Sequence, residues 1–257
     1  MTRPFVAQYS GVVLDIDGVC LTGSTPIAGA LDAVAQFRDL GIALLFATNN
    51  AIRTPAQVAD HLGGAGFEVR DDEILTSSTS AALLLEPGTR CYVLGTDGLR
   101  VPLRDRGCVI VDDPFAAEVC VVGMDWKLTY NDLAEAALAI GAGARFVGTN
   151  PDANVPSERG RLPAAGAILA ALTKATGVEP LVAGKPAPAM FDAAEALLPP
   201  GRRLMVGDRL DTDVAGAAAQ GWDTALVLSG VATAEDVARS TIAPTRVFDD
   251  LAGLLGP

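Results

Sequence analysis

The chain has 257 residues, 50% hydrophobic and 19% charged, which is enough apolar content for a buried core and too much for a disordered chain. Nineteen basic residues against 31 acidic ones leave a formal charge of −12, which repels nucleic acid and anionic membranes and suits a protein that holds a cation among carboxylates. One histidine, His61, which reads as a surface or packing residue, and four scattered cysteines (Cys20, Cys91, Cys108, Cys120) argue against multi-histidine zinc sites, Ser–His–Asp and Cys–His chemistry, and a disulfide framework.

Strands and helices alternate from the start. Gly11–Ile16 is a β-branched apolar run that ends at an acid. Ala28–Leu40 carries apolar residues at helical spacing and stops at Gly41, the usual left-handed position after a helix. Ile42–Ala47 reads as a second buried strand, and Pro55–Leu62 as a helix with Thr54 as N-cap and proline in the first turn. Ile74–Leu75 and Ser78–Leu85 supply a short strand and a helix. After Pro87-Gly88 the pattern restarts with strands at Cys91–Leu94, Val109–Val111, Val119–Val122 and Phe146–Val147. Helices are expected at Asp97–Arg106, Asn131–Ile140 and Gly166–Ala175. Beyond Gly177–Pro180 come helix Pro188–Leu198, strand Leu204–Val206, helix Thr212–Gln220, strand Thr224–Leu228 and helix Thr233–Arg239. This order predicts an α/β protein: a doubly wound, Rossmann-like parallel sheet in a discontinuous core (1–86 and 180–257) with an inserted α/β domain at 87–179. No apolar run approaches the ~20 residues of a membrane span. No signal peptide is visible either, so a reducing cytoplasm is the expected location.

Sites in open α/β sheets form at the carboxyl ends of strands. Polar residues gather at such ends here: Asp15-Ile16-Asp17-Gly18, Thr48-Asn49-Asn50, Gly184-Lys185-Pro186, and Gly207-Asp208 running on to Asp213. Singly, each has a plain reading as a turn, a helix cap or a solvated loop. Together they describe a chemistry. Two carboxylates at i and i+2 of an extended segment point to one side, roughly 7 Å apart, so one can attack while the other meets a leaving group. A hard cation bound by oxygen would relieve the repulsion among Asp15, Asp17 and Asp208. Thr48 and the amides after it offer donors to an anionic oxygen, and Lys185 offers a point charge.

These residues resemble the four-part signature of the haloacid dehalogenase superfamily phosphatases: DxDG, a Thr/Ser at the next strand end, a lysine, and GDxxxxD. The insertion between Thr48 and Lys185 resembles the type II cap. The stretches Ala47-Thr48-Asn49-Asn50, Gly148-Thr149-Asn150-Pro151-Asp152 and Gly184-Lys185-Pro186 resemble subclass IIA, the p-nitrophenyl phosphatase type. Leu133–Met190 looks like the actinobacterial glycerol-3-phosphate phosphatases. The resemblance implies that Asp15 is a nucleophile forming an aspartyl-phosphate and that Asp17 is the general acid and base. It implies Mg²⁺ on Asp15, the main-chain carbonyl of Asp17 and Asp208, with Asp213 behind them. Thr48, Asn49 and Lys185 would then bind the phosphoryl oxygens of a small phosphate ester, with glycerol 3-phosphate or phosphoglycolate as best guesses. The insert would act as a cap, with Thr149–Arg161 as a polar loop that selects the leaving group through Asn150 and Asp152. Related caps also pair, so a homodimer through the cap is expected.

Rival readings fit less well. A response-regulator receiver also uses Asp, Mg²⁺, Thr and Lys, but it is about half this length and lacks the DxDG…GDxxxxD arrangement. No GxGxxG or P-loop is present. A dehalogenase would not need Asp17. Nucleotide and sugar phosphates remain alternative substrates.

Overall fold

The computed structural model describes residues 3–157 and 159–256, which form two compact units. The first comprises residues 1–48, 56–75 and 191–257, and the second residues 49–55 and 76–190. The second unit contains the whole segment read from the sequence as an insert, and also takes in the loop after Thr48 and the helix Ser77–Leu83.

A six-stranded sheet carries the first unit. Its order is Arg246–Phe248, Asp223–Val227, Arg203–Gly207, Gly11–Asp15, Ala43–Thr48 and Ile74–Thr76. The pairs from Arg246–Phe248 through to Ala43–Thr48 are all parallel. The central strands are buried along their whole length because both faces are covered: Gly11–Asp15 and Arg203–Gly207 are buried at every position. Helix Ala30–Asp39 turns Ala30, Ala33, Val34 and Phe37 onto the sheet, and Gly41 follows it at φ +74°. Helix Pro55–Gly64 adds Val58, Ala59 and Leu62 to the same core. At the edge, buried Glu73 accepts two hydrogen bonds of 2.7 Å from the Arg38 guanidinium.

The second unit repeats the plan with a five-stranded parallel sheet in the order Leu181–Val182, Arg145–Gly148, Val119–Val122, Arg90–Leu94, Val109–Ile110. Leu99, Leu103, Ala81 and Ala82 pack on one apolar cluster, Ala136, Ala139, Ile140, Ile168, Leu169 and Leu172 on another. The α/β class expected from the sequence is therefore present in both units. Among the described residues, no helix is long and apolar enough to cross a membrane.

Two differences bear on function. The stretch Thr149–Arg161, expected as a loop, is a loop only in its first part: Asn154–Ser157 pairs antiparallel with Gly160–Pro163. Glu158 within it lies outside the described residues. The helix expected at Thr212–Gln220 is broken into a π-helical turn, Leu210–Val214, followed by a short α-helix, Ala215–Ala219. A wide turn at that position puts an extra residue beside the end of a central strand.

Candidate active site

Parallel pairing brings the carboxyl ends of the first unit's strands to one edge. Asp15 is the last residue of its strand and pairs in register with Ala47, so Thr48 stands one position on. On the other side Leu14 pairs with Val206, so Gly207 and then Asp208 follow at the same edge. Asp15, Thr48, Asp208 and Asp213 are 9%, 5%, 2% and 1% exposed, a concentration of buried polar groups that packing alone does not require.

One carboxylate oxygen from each of Asp15, Asp208 and Asp213 lies within 4.8 Å of the others. At that separation each pair of charges repels by roughly 3–4 kcal/mol at an effective dielectric of 20. The local fold nevertheless holds them together. Asp208 Oδ2 accepts from the Val231 N–H at 2.7 Å, and Asp213 Oδ2 accepts from the Arg209 N–H at 3.1 Å. Glycines make room: a Cβ on Gly18 would lie 2.3 Å from Asp208 Oδ2, one on Gly230 2.0 Å from it, and one on Gly207 2.2 Å from Asp213 Cβ. An all-oxygen set of three buried carboxylates fits a hard divalent cation, which would cancel the repulsion the fold tolerates. Magnesium is the cofactor this donor set suits. Asp213, expected behind the metal ligands, has its carboxylate in the same cluster as Asp15 and Asp208.

The chain turns sharply after Asp15. The N–H groups of Cys20 and Leu21 both donate to the Ile16 carbonyl at 2.9 Å, and the Gly18 N–H donates to the Leu21 carbonyl at 2.7 Å. Gly18 has φ +86°, a conformation costly for any residue with a Cβ. The turn leaves Asp17 exposed while Asp15 is nearly buried, so the two acids of the DxD differ in solvation. Ser229 Oγ donates to the Gly18 carbonyl at 2.7 Å and closes the turn. Cys20 lies under it, fully buried, its thiol 3.5 Å from the Asp15 carbonyl. Burial first, and then the charges of Asp15 and Asp17, push that thiol's pKa well up, so it stays protonated and packs as a small apolar group. Asp211 is paired with Arg209 at 2.9 Å on the surface, and that partner holds its carboxyl below the usual range.

The second unit holds Asn49, Asn150, Asp152 and Lys185 in one hydrogen-bonded group. Asn49 Nδ2 donates to Asp152 Oδ2 and to the Lys185 carbonyl, both at 3.0 Å. The Asn49 carbonyl accepts from Asn150 Nδ2 at 2.7 Å and from Ser77 Oγ at 2.8 Å. Lys185 is 2% exposed, and the Gly184 N–H before it donates to the Thr149 carbonyl at 2.7 Å. Gly184 must be glycine: a Cβ there would lie 2.5 Å from Asn49 Oδ1 and 2.7 Å from the Thr149 carbonyl.

Sequence reasoning passed over several contributors. Ser77, Ser229, Gly230 and the Val231 N–H all hold site residues in place. Gly184, by contrast, is part of the Gly184-Lys185-Pro186 motif singled out from the sequence. Ser229-Gly230 sits just past a strand end, a common turn composition that says nothing of Asp208 or of the DxDG turn that Ser229 reaches across 211 residues.

Comparison with known proteins places this geometry. The chain matches the family model of haloacid dehalogenase-like hydrolases over residues 12–109 and a second, HAD-hydrolase-like model over residues 182–254. An acid sugar phosphatase from Staphylococcus aureus is 39% identical over 249 residues, 95% of this chain and 96% of the relative. A glycerol phosphate phosphatase from Mycobacterium tuberculosis, solved with magnesium, superposes with a TM-score of 0.92 at 38% identity, covering all of this chain and 79% of that one. A p-nitrophenyl phosphatase from Archaeoglobus fulgidus superposes with a TM-score of 0.92 at 34% identity over 96% of this chain and 98% of its own. With family models over residues 12–109 and 182–254 and a relative 39% identical over 95% of this chain, the chain belongs to the haloacid dehalogenase-like hydrolases, among the phosphatases of that family.

Proposed function

We propose that this phosphatase hydrolyses a small, flexible phosphomonoester, with glycerol 3-phosphate or phosphoglycolate as the preferred type, through an aspartyl-phosphate. The observation that carries the mechanism is the contrast at the DxDG turn: Asp15 is drawn into a buried carboxylate cluster, whereas Asp17, two residues on, stands exposed. Asp15, in the cluster where a cation would sit, is placed to attack as nucleophile, whereas the exposed Asp17 is open to the leaving oxygen and then to water, the two groups an acid and base must reach.

Asp15 attacks phosphorus as the bond to the leaving oxygen breaks, and Asp17 gives that oxygen its proton. Asp17 then takes a proton from water as the water attacks the phosphorus, releasing inorganic phosphate and restoring the Asp15 carboxylate. Asp15, Asp208 and the Asp17 main chain would hold Mg²⁺, with Asp213 beside them. Mg²⁺ held by these residues would supply positive charge that offsets the repulsion of the nucleophile by the phosphate dianion. Thr48, Asn49 and Lys185 donate to the phosphoryl oxygens, compensating the charge that spreads over them as the group transfers.

The substrate type is supported by the likeness of Leu133–Met190 to glycerol-3-phosphate phosphatases and by the match of this chain to 79% of a glycerol phosphate phosphatase. The acid sugar phosphatase relative makes sugar phosphates the competing class. A steady-state screen of glycerol 3-phosphate, phosphoglycolate, hexose phosphates and nucleotides with Mg²⁺ tests the reading. The expected result is the highest kcat/KM on a three-carbon or smaller phosphate. A preference for hexose phosphates or nucleotides refutes the substrate, and absence of phosphate release from every ester refutes the reaction.

A further inference from the structure

Asn49 is held at every polar group whose partners are known. Its side-chain nitrogen has two hydrogens, and both are used, one on the Asp152 carboxylate and one on the Lys185 carbonyl. Its main-chain carbonyl has two acceptor positions, filled by Asn150 and Ser77. The side-chain oxygen is buried without a hydrogen-bond partner, against Gly184. The two acceptors fix the orientation of the amide: turning it over would set oxygen against a carboxylate oxygen and a carbonyl oxygen, both at 3.0 Å.

Asp152 is held as firmly. Its N–H donates to Asn150 Oδ1 at 3.2 Å, and its carbonyl accepts from the Gly166 N–H at 2.8 Å, at the start of helix Ala165–Thr176. Gly166 has no room for a side chain, since a Cβ would lie 2.2 Å from the Pro151 carbonyl oxygen. Asn150 uses its nitrogen on the Asn49 carbonyl and its oxygen on the Asp152 N–H. Neither residue is placed as a flexible reader of the leaving group. Asn150 is tied to the main-chain carbonyl of Asn49, and Asp152 to the Asn49 side-chain nitrogen that also donates to the Lys185 carbonyl.

We infer that Asp152 and Asn150 are positioning residues for the phosphoryl group: through Asn49 they fix the main chain that carries Asn49 and Lys185. This rests on the reading that Asn49 and Lys185 bind phosphoryl oxygens. The consequence is that their loss weakens every substrate alike, because the phosphoryl group is common to all, and weakens inorganic phosphate by the same factor.

The test is steady-state kinetics of Asp152→Ala, Asp152→Asn, Asn49→Ala and the Asn49→Ala/Asp152→Ala double variant. It uses p-nitrophenyl phosphate and the best alkyl phosphate from the screen as substrates, with inorganic phosphate as inhibitor. For Asp152→Ala, KM for both substrates and Ki for phosphate should rise together by about tenfold, with kcat changing less, as expected for lost binding common to ground and transition states. Asp152→Asn keeps an acceptor oxygen and should restore most of the affinity. The double variant should be no worse than Asn49→Ala alone, because Asp152 acts through Asn49. A change in the ratio of kcat/KM between the two substrates with phosphate Ki unmoved would overturn the inference and return Asp152 to the leaving group. So would additive losses in the double variant, or a failure of Asp152→Asn to recover phosphate affinity in a protein of unchanged Tm. Lys185→Met separates this from the reading beneath it. If that variant keeps wild-type phosphate Ki, the phosphate-binding assignment fails. If it loses phosphate while Asp152→Ala does not, only the positioning role fails.

Discussion

Alanine at position 18 should damage metal binding by crowding the Asp208 carboxylate. Gly18 sits at φ +86°, and a Cβ there would fall 2.3 Å from Asp208 Oδ2, 2.7 Å from its Cγ and 3.0 Å from the Gly230 Cα. The carboxylate has nowhere to retreat, because Gly230 closes the space beside it and the Val231 N–H grips the same oxygen at 2.7 Å. The left-handed conformation costs a non-glycine residue about 1–2 kcal/mol. Displacing the carboxylate forfeits a charge-assisted hydrogen bond of about 1.5–3 kcal/mol. The sum, about 2.5–5 kcal/mol, is shared between fold and metal. Calorimetric titration of the metal-stripped protein with Mg²⁺, beside a thermal melt of the same sample, reads both. Gly18→Ala should lower Tm by several degrees and weaken Mg²⁺ binding at least tenfold, which corresponds to about 1.4 kcal/mol. Wild-type Tm and wild-type Mg²⁺ affinity together in Gly18→Ala would show that Asp208 is not held between the two glycines.

Asp15→Asn removes the attacking charge and keeps the shape, so hydrolysis should fall by at least ~10³-fold, about 4 kcal/mol of barrier; near-normal rates from the pure variant would exclude Asp15 as nucleophile. Chelation should abolish activity and Mg²⁺ restore it, with Zn²⁺ a poor substitute for an all-oxygen donor set; full activity in the stripped enzyme would contradict the carboxylate cluster as a metal site. Burial works to raise the Glu73 pKa, and the hydrogen bonds from Arg38 and the Arg70 N–H override it and hold the carboxyl below its ordinary 4.5. A depressed folded-state pKa gives stability that is present above the ordinary pKa and is lost as pH falls through the folded value. Glu73→Gln should therefore cost roughly 2–3 kcal/mol at pH 7, the scale of hydrogen bonds to a buried charge, and the gap to wild type should narrow progressively in melts as pH falls below the ordinary 4.5; a gap independent of pH would show that ionisation of Glu73 is not what matters.

Much of the site was legible because chemistry here sits where apolar runs stop. Asp15, Thr48 and Asp208 follow buried strands whose composition marks them, and the parallel sheet then brings those ends to one edge. What was hidden was structure without periodicity. The hairpins Leu21–Thr22/Thr25–Pro26 and Asn154–Ser157/Gly160–Pro163 have strands of two to four residues, too short for alternation to register, and prolines at 26, 156 and 163 argue against strand. The edge strands Leu181–Val182 and Arg246–Phe248 are equally short. The π-helical turn at Leu210–Val214 follows from Asp213 folding back onto the Arg209 N–H and against Gly207, a tertiary arrangement no helical stripe reports. Asn49 shows the limit most clearly. Its type at a strand end suggested a phosphate donor, but its partners Ser77, Asn150, Asp152 and Lys185 converge only after the chain has folded.

The most direct measurement is to look for the covalent intermediate itself. Enzyme turning over p-nitrophenyl phosphate with Mg²⁺ is quenched with borohydride, which reduces an acyl phosphate to an alcohol and so turns a phosphorylated aspartate into homoserine. The peptide spanning Gly11–Gly23 is then sequenced by mass spectrometry. Homoserine at position 15, absent without substrate and enriched in Asp17→Asn, where the second step lacks its base, is the expected result. Unmodified Asp15 in Asp17→Asn enzyme that has released a stoichiometric burst of p-nitrophenol would contradict the two-step mechanism.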